Sequence, residues 1–468
     1  MKRYLVQTFG CQMNVHDSRR IEEVLSDHGY ELTEEPTLAD LIVLNTCSVR
    51  EKAEQKLRSA VGSYRALKQQ RPDLIIAVAG CVAQQEGEKL LRRVPHLDVV
   101  IGPDNIPELP ALVEHVRSGA PPISRTVFDM NAPQFLVARP RTKQGEITSF
   151  VTVMKGCDER CTYCIVPYTR GPERYRPADE IVSEISLLVA GGVREIMLLG
   201  QTVNSWHSHG AGEGESEFPA LLERIVREVP NLARLRYTSP HPRHLTAQLI
   251  RAHAELPSLC RHVHLPVQSG SDRMLKRMLR RYTAADYLAR VDQLKAAVPG
   301  VTLSSDIIVG FPGETEQDFE ATLALVRQAG FVSLFGFKYS PRPYTPALKL
   351  DDDVSEEDKD DRLQRLFALS AEIQQAHLAS MVGTRQEVLV ESDDPTRPGR
   401  FTGRSERNEL VHVDVPEGLD PRGTLVHATV VEAFKHSLYA VMDGAVSRPA
   451  LAPVPVRKAR VALPLASA

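Results

Sequence analysis

What most limits the fold of this chain is an alternation of short apolar runs with amphipathic helical stretches, repeated in two separate series. In the first third, residues 4–8, 41–45, 75–79 and 99–101 read as buried strands with helices between them. Parallel strands need long crossovers and are covered on both faces, so they show continuous apolar runs rather than alternation. The pattern predicts an α/β domain with a parallel sheet. A second series begins near residue 150, with strand-like segments at 150–155, 195–199, 234–237, 262–266, 303–309 and 333–339. Helical patterns such as 178–190, 221–229, 284–296 and 316–328 separate them. Six such units predict an open, partial (β/α)6 barrel rather than a complete eight-unit one.

A charged helix over 356–381 leads into β-rich runs at 386–391, 410–415, 424–431 and 438–442, with Gly403, Gly418 and Gly423 as turn formers. That unit predicts a small β-barrel. A chain of 468 residues exceeds one hydrophobic core. The expected division is an N-terminal α/β domain over 1–119, a Pro- and Arg-rich linker over 120–142, a core domain over 143–378, the β-barrel over 379–445 and a disordered tail over 446–468. The N-terminus lacks a signal-peptide pattern, and no run approaches the roughly 20 apolar residues that cross a membrane. A cytoplasmic protein is expected, in which cysteines are ligands or catalysts more often than disulfide partners. The net charge of −3 argues against a generally basic surface. Arg273, Lys276, Arg277, Arg280 and Arg281 nevertheless cluster, as do Arg397, Arg400, Arg404 and Arg407. Such clusters are ordinarily solvated faces.

Six of the seven cysteines fall into two sets. The run MKGCDERCTYC spaces Cys157, Cys161 and Cys164 as C-x3-C-x2-C just after the first strand of the second series. Active sites of such series gather there, at the carboxyl ends of the strands. Three thiolates on a cubane iron–sulfur cluster leave one iron open, which a catalytic cluster needs. A zinc site or three unrelated buried cysteines is the plainer alternative, but structural zinc takes four protein ligands at other spacings. Cys11, Cys47 and Cys81, in TFGCQMN, LNTCSVR and VAGCVAQ, each stand two or three residues past one of the first three strands. In a parallel sheet these loops converge on the crevice where α/β domains bind ligands, so a second cluster with an open iron is expected. Separate packing roles are the alternative. Cys260 fits neither set and reads as structural.

The first cysteine run resembles the signature of the radical S-adenosylmethionine superfamily. With the second set, the chain resembles the methylthiotransferase family from Lys2 to about Asp443. The resemblance implies two 4Fe-4S clusters: one on Cys157, Cys161 and Cys164, whose open iron S-adenosylmethionine chelates, and an auxiliary one on Cys11, Cys47 and Cys81 that delivers sulfur. It also implies S-adenosylmethionine contacts from Tyr163 at the adenine, and from Gly200 and Gln201 of LLGQTVN at the methionine end. Gln268 and Ser269 of HLPVQSGS would lie near the ribose, and Ile308 to Gly310 of DIIVGFPGE at the adenine. Each of these segments is also explained by a strand-end turn that needs glycine. His262 and His264 share one strand face, where a structural role is expected.

The terminal barrel resembles the TRAM domain, an RNA-binding module, which implies phosphate contacts from Arg400, Arg404, Arg407 and Lys435. TFGCQMNVHDS, NTCSVREKAEQK, GCVAQQEGE, YTSPHP and GRSERN resemble the tRNA branch of MiaB type. The sequence departs from that branch at Tyr344, where Gly is common, and at Ser405, where Thr is usual. The implied activity is methylthiolation of C2 of N6-isopentenyladenosine beside the anticodon of tRNA. One S-adenosylmethionine would be the methyl donor and a second the radical source. Further partners would be an electron donor such as flavodoxin or ferredoxin, and a sulfur source. That carbon is an unactivated aromatic C–H, so the chemistry belongs to a cofactor rather than to side chains. Two alternatives stay open: a methylthiotransferase acting on threonylcarbamoyl-adenosine tRNA or a ribosomal protein, and a non-catalytic, cluster-bearing RNA-binding sensor.

Overall fold

The computed structural model describes residues 2–49, 51–130, 135, 142–208 and 215–443. The expected tail and residues 131–134 and 136–141 of the expected linker lie outside the described residues. The first sheet contains β1 (Arg3–Phe9), β2 (Glu31–Leu32), β3 (Leu41–Thr46), β4 (Ile75–Gly80), β5 (Val99–Ile101) and β6 (Ile123–Arg125). All neighbours are parallel, in the order β2-β1-β3-β4-β5-β6. Residue parity divides its apolar side chains between two faces. Leu41, Val43 and Ile75 pack with Ile21 and Leu25 of the helix Gln12–Asp27, while Ile42, Leu44 and Ile76 pack with Leu57 and Val61. Two covered faces explain the unbroken apolar runs of the sequence. The linker expectation needs correction at its start, because Ile123–Arg125 pairs with β5 as an edge strand. Its residues are only partly covered, so they leave little apolar signal.

The core domain opens with β7 (Thr148–Thr152). Next come β8 (Met154–Lys155) and β9 (Arg174–Tyr175), a short antiparallel pair that clasps the loop carrying Cys157, Cys161 and Cys164. β7, β10 (Glu195–Leu199) and β11 (Arg234–Tyr237) form one parallel set, and β12 (His262–His264), β13 (Thr302–Val309) and β14 (Ser333–Lys338) form another. A parallel bridge between Leu235 and Leu259 joins the two sets. The result is six strands in chain order, with helices such as Ala178–Ala190, Ala284–Ala297 and Glu316–Ala329 packed outside them around one apolar core.

After the long helix Glu356–Ser380 the chain forms a closed barrel of β15 (Arg385–Asp393), β16 (Arg400–Ser405), β17 (Leu410–Asp414), β18 (Leu425–Ala433) and β19 (Leu438–Met442), ordered β15-β16-β17-β19-β18. Gly403, expected in a turn, lies inside β16, a strand the sequence pattern did not reveal. A Cβ there would stand 2.2 Å from the carbonyl oxygen of Leu389, so the glycine permits close strand contact rather than a reversal.

The barrel docks on the amino ends of the core strands through two buried arginines. Arg234 donates to the carbonyls of Arg404 (2.6 Å) and Glu387 (2.9 Å), and Arg236 to those of Ser405 (2.9 Å) and Glu406 (3.1 Å). Arg236 also pairs with buried Glu195 at 3.0 Å. Removing one partner of a buried pair costs about 3–5 kcal/mol, because the other charge is left unpaired in a dry site. Arg236→Met is therefore expected to lower the thermal unfolding midpoint and to make the segment near residue 382 the first cut in limited proteolysis. Equal proteolytic resistance in the variant would count against this account of the joint.

Candidate functional site

In a doubly wound sheet, the crevice opens at the carboxyl ends of the strands where the winding reverses, here β1 and β3. Cys11 stands two residues after β1 and caps the helix Gln12–Asp27, Cys47 directly follows β3, and Cys81 opens a short helix directly after β4. Gly10 and Gly80 allow these loops to meet. A Cβ on Gly10 would lie 2.4 Å from that of Cys47, and one on Gly80, at φ +92°, would lie 2.3 Å from Asn45 Oδ1. Cys11 Sγ donates to Asn14 Oδ1 (3.2 Å) and stands beside the Cys47 thiol. The neighbouring Cys47 thiol, helped by the Arg170 charge and opposed by burial, pulls Cys11 down to about 6, while the Cys11 thiol and burial push Cys47 well up. The backbone N–H of Val49 donates to Cys47 Sγ (3.3 Å) and Arg170 Nε donates to Cys81 Sγ (3.2 Å).

The other triad is equally provided with donors. Thr202 Oγ1 lies 2.9 Å from Cys157 Sγ, and the buried guanidinium of Arg280 donates to Cys161 Sγ at 3.4 Å. Burial pushes the free Cys157 thiol up to about 12 and raises that of Cys164 as well. All seven cysteines are unpaired thiols. Three soft sulfur donors at each site, faced by N–H, hydroxyl and guanidinium groups that favour thiolate, fit one thiolate-ligated cluster per triad.

Several residues expected at the S-adenosylmethionine site do surround the second triad. Gln201 Oε1 accepts from the N–H of Gly156 (2.5 Å), and its buried Nε2 has no partner among the described residues. An unmet donor of this kind, beside Cys157, suits a ligand carboxylate. Gly200 precedes it and packs against Met154. Tyr163 and Ile308 meet in one apolar cluster with Phe311 and Met278, the Tyr163 ring standing edge-on to Phe311 at 6.4 Å. Gln268, at φ +76°, accepts from Ile308 N–H (2.9 Å), and Gly310 N–H donates to Glu314 (2.6 Å). Ser269 does not join them. Its fully buried hydroxyl meets Thr322 on the helix Glu316–Ala329 (3.3 Å) and accepts from Ser271 N–H (3.2 Å), so it braces the turn instead of facing a ribose.

Glu159, His241 and His244 were not anticipated. Glu159 accepts from Arg243 (3.2 Å) and is joined to His244 Nε2 (2.8 Å), while His241 Nε2 lies 3.9 Å away. Glu159 sits inside the cysteine motif, and the histidines follow the third core strand, the one positional signal that marks them. Arg170 carries no sequence signal at all, because only the packing of two domains brings it to Cys81.

The expected RNA-contacting residues separate. Arg400 lies over the Tyr439 ring (4.8 Å) and pairs with Asp414 (3.2 Å), and Lys435 is exposed on the same barrel. Arg404 and Arg407 belong to the joint with the core, at the strand ends opposite the cysteines. The Arg404 carbonyl receives Arg234, and that of Arg407 receives Thr302 (3.2 Å). Charge alone could not reveal which side of the barrel faces the core. His262 is structural, with Nδ1 on Thr302 (2.9 Å) and Nε2 on Ser304 (3.0 Å); His264 shares Ser304 through Nδ1 (2.9 Å).

Comparison with known proteins agrees with this architecture. Residues 3–102 match the family described as uncharacterized protein family UPF0004, and residues 151–326 match the radical SAM superfamily. The solved radical S-adenosylmethionine methyltransferase TsrM from Kitasatospora setae, with cobalamin and a 4Fe-4S cluster bound, superposes with a TM-score of 0.55 at 15% identity over 86% of this chain and 77% of its own. That likeness is one of fold. The chain is thus a radical SAM transferase, a class that works with S-adenosylmethionine and 4Fe-4S clusters. A tRNA-2-methylthio-N(6)-dimethylallyladenosine synthase from Sorangium cellulosum is 57% identical over all of this chain and 99% of its own, and one from Jannaschia sp. is 46% identical over 93% of each. The chain belongs to the tRNA-2-methylthio-N(6)-dimethylallyladenosine synthase family.

Two outcomes follow from the site. Gly10→Ala is expected to block the approach of Cys11 to Cys47 and to lower iron in the anaerobically reconstituted protein from about eight to about four atoms per chain. Full iron content would contradict the steric argument. Burial, reinforced by Arg236, holds His262 down to about 3, below the ordinary 6.5 of an unfolded histidine. The unfolded chain then binds more protons between those values, so the stabilisation is complete above pH 6.5 and is lost as pH falls towards 3. Thermal melts of cluster-free protein should show a shallower acid loss for His262→Gln than for the parent.

Proposed function

We propose that this chain inserts a methylthio group at C2 of N6-isopentenyladenosine next to the anticodon of tRNA. The observation that carries this reading is the shared wall between the two triads. The helix Val166–Arg170, which directly follows the Cys157–Cys164 loop, ends in the arginine that donates to Cys81 of the other triad. A radical source and a sulfur donor must both reach one carbon, and two sites built on a common helix meet that need. When bound, the groups held by the two triads would supply radical chemistry at the second triad and sulfur-donor chemistry at the first, with S-adenosylmethionine serving both.

The chain's own residues hold and orient these groups. Cys157, Cys161 and Cys164 would ligate the radical cluster, and Cys11, Cys47 and Cys81 the auxiliary one. Gln201 Nε2 would take the carboxylate of S-adenosylmethionine, while Tyr163, Ile308 and Phe311 wall the adenine. Gln268 and Gly310 set the turns that bound that pocket. Arg400 and Lys435 on the terminal barrel supply phosphate contacts. An electron donor such as flavodoxin or ferredoxin and a source of replacement sulfur complete the cycle, in the cytoplasm, where tRNA and reduced thiols coexist. No helix among the described residues is long and apolar enough to cross a membrane.

Replacing Cys11, Cys47 and Cys81 together by Ala should leave reductive cleavage of S-adenosylmethionine and abolish methylthio insertion, read by nucleoside mass spectrometry of the tRNA product. Loss of cofactor cleavage as well would refute the division of labour between the triads.

A further inference from the structure

Two aromatic rings lie where the loops of the two triads meet and serve none of the roles above. Tyr168, 42% exposed, lies on the helix Val166–Arg170 between Cys164 and Arg170, and Tyr344, 53% exposed, lies on the loop after β14. Their centroids are 6.0 Å apart with planes inclined by 35°. The loop is pinned beside each triad. Arg342 donates to the Val49 carbonyl (3.1 Å), two residues past Cys47, and to Glu54 (3.3 Å), while Ala347 N–H donates to the Thr162 carbonyl (2.8 Å) inside the other cysteine loop. Between these anchors Tyr344 adopts φ +69°, a conformation glycine takes without strain. Neither phenol has a hydrogen-bond partner among the described residues, so no hydrogen bond there repays a strained, solvent-facing tyrosine. Such strain gathers at ligand sites.

Three cations on the segments that meet at Thr162 are also unmatched among the described residues. Thr162 binds the carbonyls of Arg277 and Met278 (3.0 and 3.1 Å), which places the turn bearing Lys276 and Arg281 beside the same loop. Arg160 and Arg281 have φ of +53° and +52°, and both are exposed, as is Lys276. None of the three has an acidic partner among the described residues. Open aromatic faces flanked by unpaired cations are what single-stranded nucleic acid requires, since bases stack on rings and phosphates seek cations.

We propose that Tyr168 and Tyr344 form a stacking platform for a nucleobase of the tRNA loop neighbouring the base in the cleft, with Arg160, Lys276 and Arg281 on the flanking phosphates. The inference rests on the tRNA reading above and adds the contacts that hold the loop. Trp206, the chain's one tryptophan, is buried, so Tyr344→Trp introduces a reporter on the surface. With the anaerobically reconstituted holoenzyme, an isopentenylated anticodon stem-loop should quench that new fluorescence, and a blunt RNA duplex of equal length should not. Tyr344→Gly should weaken stem-loop binding about five- to hundredfold, and Tyr344→Phe about twofold or less. The glycine variant should melt at or above the parent temperature, which separates lost stacking from lost folding. Unchanged affinity in Tyr344→Gly, or equal quenching by the duplex, would overturn the platform alone. Failure of the parent enzyme to bind the stem-loop would overturn the tRNA reading and the platform with it.

Discussion

The joint between the first α/β unit and the core depends on a set of nearly dry charges along one helix. Arg20 pairs with Glu23 (2.7 Å) and with Glu184, which Arg176 also meets from the core side. Asp17, one turn earlier, pairs with Arg170 at 2.5 Å, and His16 lies 3.1 Å from Thr152 Oγ1. Burial opposes ionisation of Glu184, yet Arg20 and Arg176 hold its carboxyl below the usual range. Such pairs contribute little net stability against an apolar alternative, but a shifted register would strand a charge without a partner. The same helix begins immediately after Cys11. The ion pairs therefore fix one cysteine triad against the other, and the chemistry inherits their alignment.

How much of this was legible in the sequence follows from what each signal measures. Short apolar or alternating runs announce strands, and Glu195–Leu199, Arg234–Tyr237 and Leu438–Met442 were readable to the residue. β16 was hidden because Gly403 looks like punctuation, while its purpose is close contact with Leu389. The convergence of the cysteines was visible because each triad repeats a strand-end position. Thr202, Arg170 and Arg280 were not visible, since they reach sulfur from 45, 89 and 119 residues away in sequence. Ser269 illustrates the opposite error: a serine after a strand serves a helix turn as readily as a ligand.

The two departures from the usual family pattern have different physical weights. At Ser405 the turn uses only a hydroxyl, which accepts from Arg407 N–H (3.1 Å) and Glu409 N–H (3.2 Å), and Thr would offer the same group. At Tyr344 the change places a large ring where the backbone itself favours none. One substitution is neutral by chemistry, and the other needs a reason outside the chain.

The docking of the terminal barrel carries a further consequence. Arg234 and Arg236 grip main-chain oxygens at 387 and 404–406, and two side-chain pairs, Arg234 with Glu387 (3.5 Å) and Arg261 with Glu406 (3.4 Å), stand beside them. A joint that inspects mainly the path of a polypeptide is largely indifferent to the letters written along it. Apart from Glu387 and Glu406, the residues along that path can change while the main-chain grip persists, and a foreign module with the same bend would meet the same donors. The catalytic unit has in effect a socket, into which different reading heads can be fitted while the chemistry behind it stays untouched.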